Sequence, residues 1–313
     1  MKVDWKAAAL AALTATALPG QAYAQGTPDI EGAIIQGGQI DEVIQEQERL
    51  DTQLRADEGE IDGEAGIFIL KENDIFFVGG AVGTGWSENP ARNLNNVEDS
   101  FWATAALTAG IQTKLAEAVD FGLRANVSGI EYFSAFGPSS RSASATMSVG
   151  VPIGDTPLYA SASAFGGLNF DEDFNNGVAF YGGSLSVNAA LPIGQRSLIR
   201  PSVGVSRQWS EIEENNAISA AASVSALHIL TPKVVLAADV SVSRTWFDDF
   251  FEDVIFVKRR DWSYGGGASI TYRPNDWLSA SLSAGYERRD STFFISEYGG
   301  FDGSLMLSAT AKF

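Results

Sequence analysis

From about residue 74 to the end of the chain, apolar and small polar residues alternate with a period of two. In 233–247, Val234, Leu236, Ala238, Val240 and Val242 share one parity, while Ala237, Asp239, Ser241 and Ser243 share the other. In 277–290 the split is Leu278, Ala280, Leu282, Ala284 and Tyr286 against Ser279, Ser281, Ser283, Gly285 and Glu287. In 118–132, Val119, Phe121, Leu123, Ala125 and Val127 oppose Asp120, Gly122, Arg124, Asn126 and Ser128. The last residues repeat the pattern, with Leu305, Leu307, Ala309, Ala311 and Phe313 set against Ser304, Ser308, Thr310 and Lys312. A period of two predicts strands with one apolar and one wet face. Twelve such segments are predicted: 74–86, 100–114, 118–132, 139–152, 156–169, 177–191, 196–210, 216–230, 233–247, 259–273, 277–290 and 302–313.

The connections alternate in length. LAEA, IGDT, IGQR, TP and PND are short, whereas SENPARNLNNVED, FSAFGPSS, DEDFNNG, EIEEN, FDDFFEDVIFVKR and STFFISEYGGF are long. A sandwich gives no reason for every short turn to fall on one side. A transmembrane barrel does, with short periplasmic turns, longer extracellular loops and an even strand number. The segments also exceed the roughly 9–11 residues that a tilted strand needs to cross. In water the apolar faces would need a second sheet as cover, and in lipid they need none. The expected fold is therefore all-β: a transmembrane antiparallel up-and-down β-barrel of about 12 strands over residues 74–313. The similar turns VPIGDTPLY and LPIGQRSLI read as one hairpin solution used twice.

Upstream the pattern differs. Lys2 and Lys6, the apolar run Ala7–Leu18 and Ala22-Tyr23-Ala24 before Gln25 predict a signal peptide over 1–24. No other stretch offers the roughly 20 apolar residues of a membrane helix, so an exported chain of this kind spans a membrane as a barrel or not at all. The expected location is the outer membrane of a Gram-negative bacterium. In 25–73 carboxylates far outnumber Lys and Arg, which predicts a polar periplasmic extension or plug. Inside it Ile40, Val43, Gln47, Leu50 and Leu54 fall at helical spacing, so the extension is expected to be partly helical, with a partner surface in the lumen or periplasm.

Aromatics cluster near the strand ends: Trp86, Phe101, Trp102, Tyr132, Trp209, Trp246, Trp262 and Tyr286 toward the long loops, Tyr159, Tyr272 and Trp277 toward the turns. Two interfacial girdles are the expectation. On the opposite parity Arg124, Arg200, Asp239 and Glu287 are the expected lumen-lining charges, either lining a solute path or pairing to brace the wall.

Composition narrows the chemistry. A net charge of −18 and no basic stripe argue against nucleic acid. With no cysteine and the single histidine His228, thiolate or multi-histidine metal sites are not expected. No G-x-S-x-G elbow or phosphate-binding glycine loop occurs, and the acidic loops lack EF-hand spacing. His228 sits on the apolar parity near a turn, an interfacial place, so neither a cofactor nor an enzymatic activity is expected.

The hairpin YRPNDWLSASLSAGYERRDSTFF, Tyr272 to Phe294, resembles the closing hairpin of outer-membrane β-barrel porins of the second type. The terminal Phe313 is similar to the assembly signal that the barrel-assembly machinery reads. The resemblance implies a role in exopolysaccharide export; it carries over no functional residue. The expected partners are outer-membrane lipid, the assembly machinery and a periplasmic partner of 25–73. The expected function is a porin-like channel for polar solutes or secreted polysaccharide. The alternatives are a non-conducting structural barrel and a surface adhesin built on the long loops.

Overall fold

The computed structural model describes residues 75–313, except 91–97, 117–118, 135–138, 155, 172, 176, 195, 251–257, 276 and 294–295. The expected signal peptide and acidic extension lie outside the described residues. The described chain is β1 (Phe76–Ser87), β2 (Ser100–Ala116), β3 (Val119–Tyr132), β4 (Ser140–Pro152), β5 (Leu158–Phe170), β6 (Val178–Ala189), β7 (Leu191–Ile193), β8 (Ser197–Ser210), β9 (Ala217–Thr231), β10 (Val234–Phe250), β11 (Lys258–Asn275), β12 (Leu278–Ser291) and β13 (Tyr298–Lys312). A 3-10 turn, Glu213–Asn215, lies between β8 and β9.

Each strand pairs antiparallel with its chain neighbours, and β1 pairs with β13, from Phe77 opposite Lys312 to Ser87 opposite Asp302. That last pairing closes the sheet, leaving no edge to satisfy in hydrocarbon. The three residues of β7 continue β6 against β8 past a break at Ala190, so the two form one wall strand and the barrel has twelve. The segments predicted from periodicity fall on these twelve.

The short turns gather at one rim. Gly154 and Gly194 occupy the same place in IGDT and IGQR, with φ of 59° and 64°. Side chains rarely adopt that left-handed backbone, so the repeated Ile-Gly is a requirement of the tight turn. At the same rim the Phe76 and Phe313 backbones exchange hydrogen bonds of 3.1 and 2.8 Å. The short-turn rim is periplasmic and the long-loop rim extracellular, as in outer-membrane barrels generally.

Parity divides the wall. Val82, Leu107, Val127, Leu185, Val240, Leu282 and Leu305 project outward, with Leu107 68% and Val240 61% exposed. An aqueous surface that oily around its whole girth would drive association, whereas hydrocarbon solvates it at no cost. The inward parity is mostly small: cross-strand hydroxyls pair at Ser128–Ser142, Ser161–Ser186, Ser163–Ser184, Ser279–Ser308 and Ser283–Ser304, 2.6–2.7 Å apart. Two apolar clusters also face inward. Ala81, Trp102, Ala106, Ile130, Tyr132 and Met306 pack on β13 and β1–β3. Tyr159, Ala190, Leu198, Leu227, Ile229 and Val235 pack toward the periplasmic rim.

Three aromatics expected in the girdles therefore point the other way. Trp102, Tyr132 and Tyr159 are buried inside the wall, at 2%, 7% and 1% exposure. For Trp102 and for Tyr159, which lies against Gly150, the reason is steric. Trp102 lies over Gly85, its direct cross-strand partner, and Phe77 over Gly110, Phe165 over Gly182 and Phe180 over Gly167 follow the same rule. A glycine opposite an inward ring gives it a floor, and distance from the strand end is the weaker signal. Phe101, Trp209, Trp262 and Tyr286 at the extracellular end, with Tyr272 and Trp277 at the periplasmic end, are exposed on the outer face as expected of girdles.

Candidate functional site: the barrel interior

All four charges expected in the lumen lie on the inward parity. Arg200 on β8, Ser225 on β9 and Asp239 on β10 form one cross-strand row. The row continues to Gly267 on β11 and Gly285 on β12. Gly267 leaves space beside Asp239, since a methyl there would stand 3.5 Å from its Oδ1. Arg200 is buried at 4%, whereas Asp239 is exposed to solvent although it points into the barrel. Glu287 sits two residues above Gly285 on β12, and Arg124 belongs to β3, where its guanidinium lies 5.5 Å from the centre of the Phe77 ring. Arg200 and Asp239 are thus brought together, one strand apart. Arg124 and Glu287 stand elsewhere on the wall.

Two charged arrangements escaped the sequence reading. At the extracellular end Asp261, 2% exposed, receives two bonds from Arg259 Nε at 2.9 and 3.0 Å and one from its Nη2 at 2.6 Å. Ser291 donates to the same carboxylate at 2.6 Å, and Arg289 Nε stands 3.8 Å away. Both guanidiniums also stack on inward rings, Arg259 on Phe247 at 4.4 Å and Arg289 on Tyr298 at 4.9 Å. A buried acid so clamped avoids the penalty of an unpaired charge and ties β11 to β12. At the periplasmic end the Tyr159 hydroxyl donates to Asp120 Oδ2 at 2.9 Å, joining β5 to β3 across β4. The spacing signal for the first site was present: Arg259 and Asp261 share parity in KRRDW. Following a long acidic loop, those charges read as solvated.

The inner wall is more basic than the chain as a whole. Lys114, Arg124, Arg200, Arg259, Arg273, Arg289 and Lys312 face inward against Asp120, Asp239, Asp261, Glu287 and Asp302 among the described side chains. His228 faces outward, with its Nδ1 2.9 Å from Ser197 Oγ. Among the described residues no carboxylate bonds its other ring nitrogen.

A closed antiparallel barrel with an oily exterior and a polar interior defines the class: an outer-membrane β-barrel, embedded in membrane lipid. An outer-membrane channel of Pseudomonas putida F1 shares the fold at a TM-score of 0.52 and 8% identity, over 76% of this chain and 96% of that one. The KdgM porin in complex with disordered oligogalacturonate aligns at 0.41 and 7% identity, over 74% and 98%. LpxR from Salmonella typhimurium aligns at 0.43 and 13% identity, over 72% and 99%. No family model matches the chain, and no curated protein matches it in sequence.

Proposed function

We propose that the protein is a passive, porin-like conduit through the outer membrane for polar solutes or a secreted polysaccharide chain. The observation that carries this reading is Asp239, which points into the barrel and is nonetheless solvent-exposed, on a wall of Ser, Gly and Thr. Small hydroxyl residues leave room, and paired hydroxyls offer sugars or hydrated ions a polar path. The resemblance of the closing hairpin to porins associated with exopolysaccharide export favours the polysaccharide cargo. Arg124, Arg200, Asp239 and Glu287 line this path, and Phe313 serves the assembly machinery. No catalytic step belongs to the reading.

A non-conducting barrel is the second reading. It is favoured by the inward clusters around Trp102 and Leu198, which fill part of the cross-section. Planar-bilayer recordings of the mature chain and of a version lacking residues 25–73 decide between them. Steady single-channel steps in both support the conduit, steps only after truncation mean the extension is a plug, and silence in both supports the non-conducting barrel. In a conducting protein Asp239→Lys should shift the reversal potential in a salt gradient toward anion preference; an unchanged potential removes Asp239 from the path.

A further inference from the structure

The outer wall carries most of its charges in one arc. On the outward parity β1, β2, β5, β6, β7 and β13 hold no Asp, Glu, Lys or Arg, and β3 and β4 hold one pair, Glu131 with Arg141 at 2.7 Å. Among the described side chains, the arc from β8 to β12 holds five outward bases, Arg207, Arg244, Lys258, Arg260 and Arg288, against two acids, Asp248 and Asp290. All seven lie toward the extracellular rim. A chain with a net charge of −18 thus presents a positive band to one leaflet only.

Aromatic rings frame these cations. The Arg244 guanidinium stands 5.1 Å from the Trp246 ring and 4.9 Å from the Trp262 ring, and Arg207 stands 5.1 Å from Trp209. In the register Arg244 is opposite Trp262 and Trp246 is opposite Arg260, so cations and indoles alternate over two adjacent strands. Arg207 is committed to Asp248 and Arg288 to Asp290. Among the described residues no such carboxylate meets Arg244 or Arg260 on this face, and Arg244 Nε is buried without a hydrogen-bond partner there. An arginine on the lipid face is costly at the midplane, and the cost falls to about 0–1 kcal/mol near the interface. Rings at headgroup depth hold a guanidinium there, and its forked donors match a phosphate.

We propose that the outer face of β10 and β11, centred on Arg244 and Arg260, binds the phosphorylated headgroup of an outer-leaflet glycolipid. Trp246 and Trp262 seat its sugar and upper acyl region, and the two arginines take its phosphate. The site lies outside the barrel and is independent of any passage through it.

The refolded full chain in detergent micelles, with folding verified by heat-modifiable gel migration, is titrated and read by native mass spectrometry. The probes are bis-phosphorylated lipid A, the same lipid without phosphates, and phosphatidylglycerol. One phosphorylated lipid A should be retained per barrel in preference to the other two. Arg244→Gln with Arg260→Gln should weaken its binding about thirtyfold. Arg141→Gln, on the far side of the wall, should leave binding unchanged. Equal retention of the dephosphorylated lipid or of phosphatidylglycerol, or undiminished binding by the double variant, overturns the proposal. If the double variant fails to fold, the three-lipid comparison on the unsubstituted chain decides alone.

Discussion

Two arcs of the wall match at mid-strand on their outer face and differ inside. On β4–β6 the inward positions include Ser140, Ser142, Ser144, Thr146, Ser148, then Ser161, Ser163, then Ser184 and Ser186, with no charge. On β10–β13 they include Asp239, Arg259, Asp261, Arg273, Glu287, Arg289, Asp302 and Lys312. Outside, Met147, Leu168 and Leu185 of the first arc match Val240, Ile270 and Leu282 of the second in exposure and character. Hydrocarbon dictates the outer face at mid-strand, so that level is uniform. The other is constrained only by the need to satisfy its polar groups, and two solutions appear: hydroxyls that pair with their cross-strand neighbours, and charges held in clamps.

The clamp is the arrangement most costly to break. Asp261→Ala leaves Arg259 and Arg289 buried together without their anion, and should destabilise the barrel by about 3–5 kcal/mol. Urea unfolding in lipid vesicles, followed by tryptophan fluorescence, reads the change. Leu107→Arg tests the uniform face. An arginine at that outward mid-strand position should cost about 2–4 kcal/mol, whereas the inward Ser144→Arg should cost far less in the same assay. Tyr159→Phe removes the donor to buried Asp120 and should cost about 1–3 kcal/mol by the same measurement. The smallest effect belongs to the hydroxyl arc: Ser163→Ala breaks a single neutral pair with Ser184, for about 1 kcal/mol. A Ser163→Ala loss as large as that of Asp261→Ala would erase the distinction between the arcs.

Much of this was legible in the chain. Alternation alone placed the wall strands, because lipid leaves one parity no choice, and Val234 to Val242 or Leu305 to Phe313 show it residue by residue. Turn length separated the two rims, and the repeated Ile-Gly marked turns that need a positive φ at Gly154 and Gly194. The inward side of Arg124, Arg200, Asp239 and Glu287 followed from parity. Which of them meet did not, because that depends on register between strands, and only pairing through Ser225 sets Arg200 beside Asp239. The same gap hid the Asp261 clamp, whose members come from β11 and β12. Trp102 misled for a related reason: its ring is placed by Gly85 on another strand, which no local pattern announces.

The central claim is a cylinder with water on one parity and lipid on the other. The chain has no cysteine, so single cysteines can be introduced along β10 at residues 238–243 without background. With the protein in lipid vesicles, a water-soluble, membrane-impermeant maleimide should label positions 239, 241 and 243 and spare 238, 240 and 242. Probes attached in detergent at the latter three should be quenched by spin-labelled acyl chains after reconstitution. Uniform labelling of both parities, or an inner parity as inaccessible as the outer, would contradict the account.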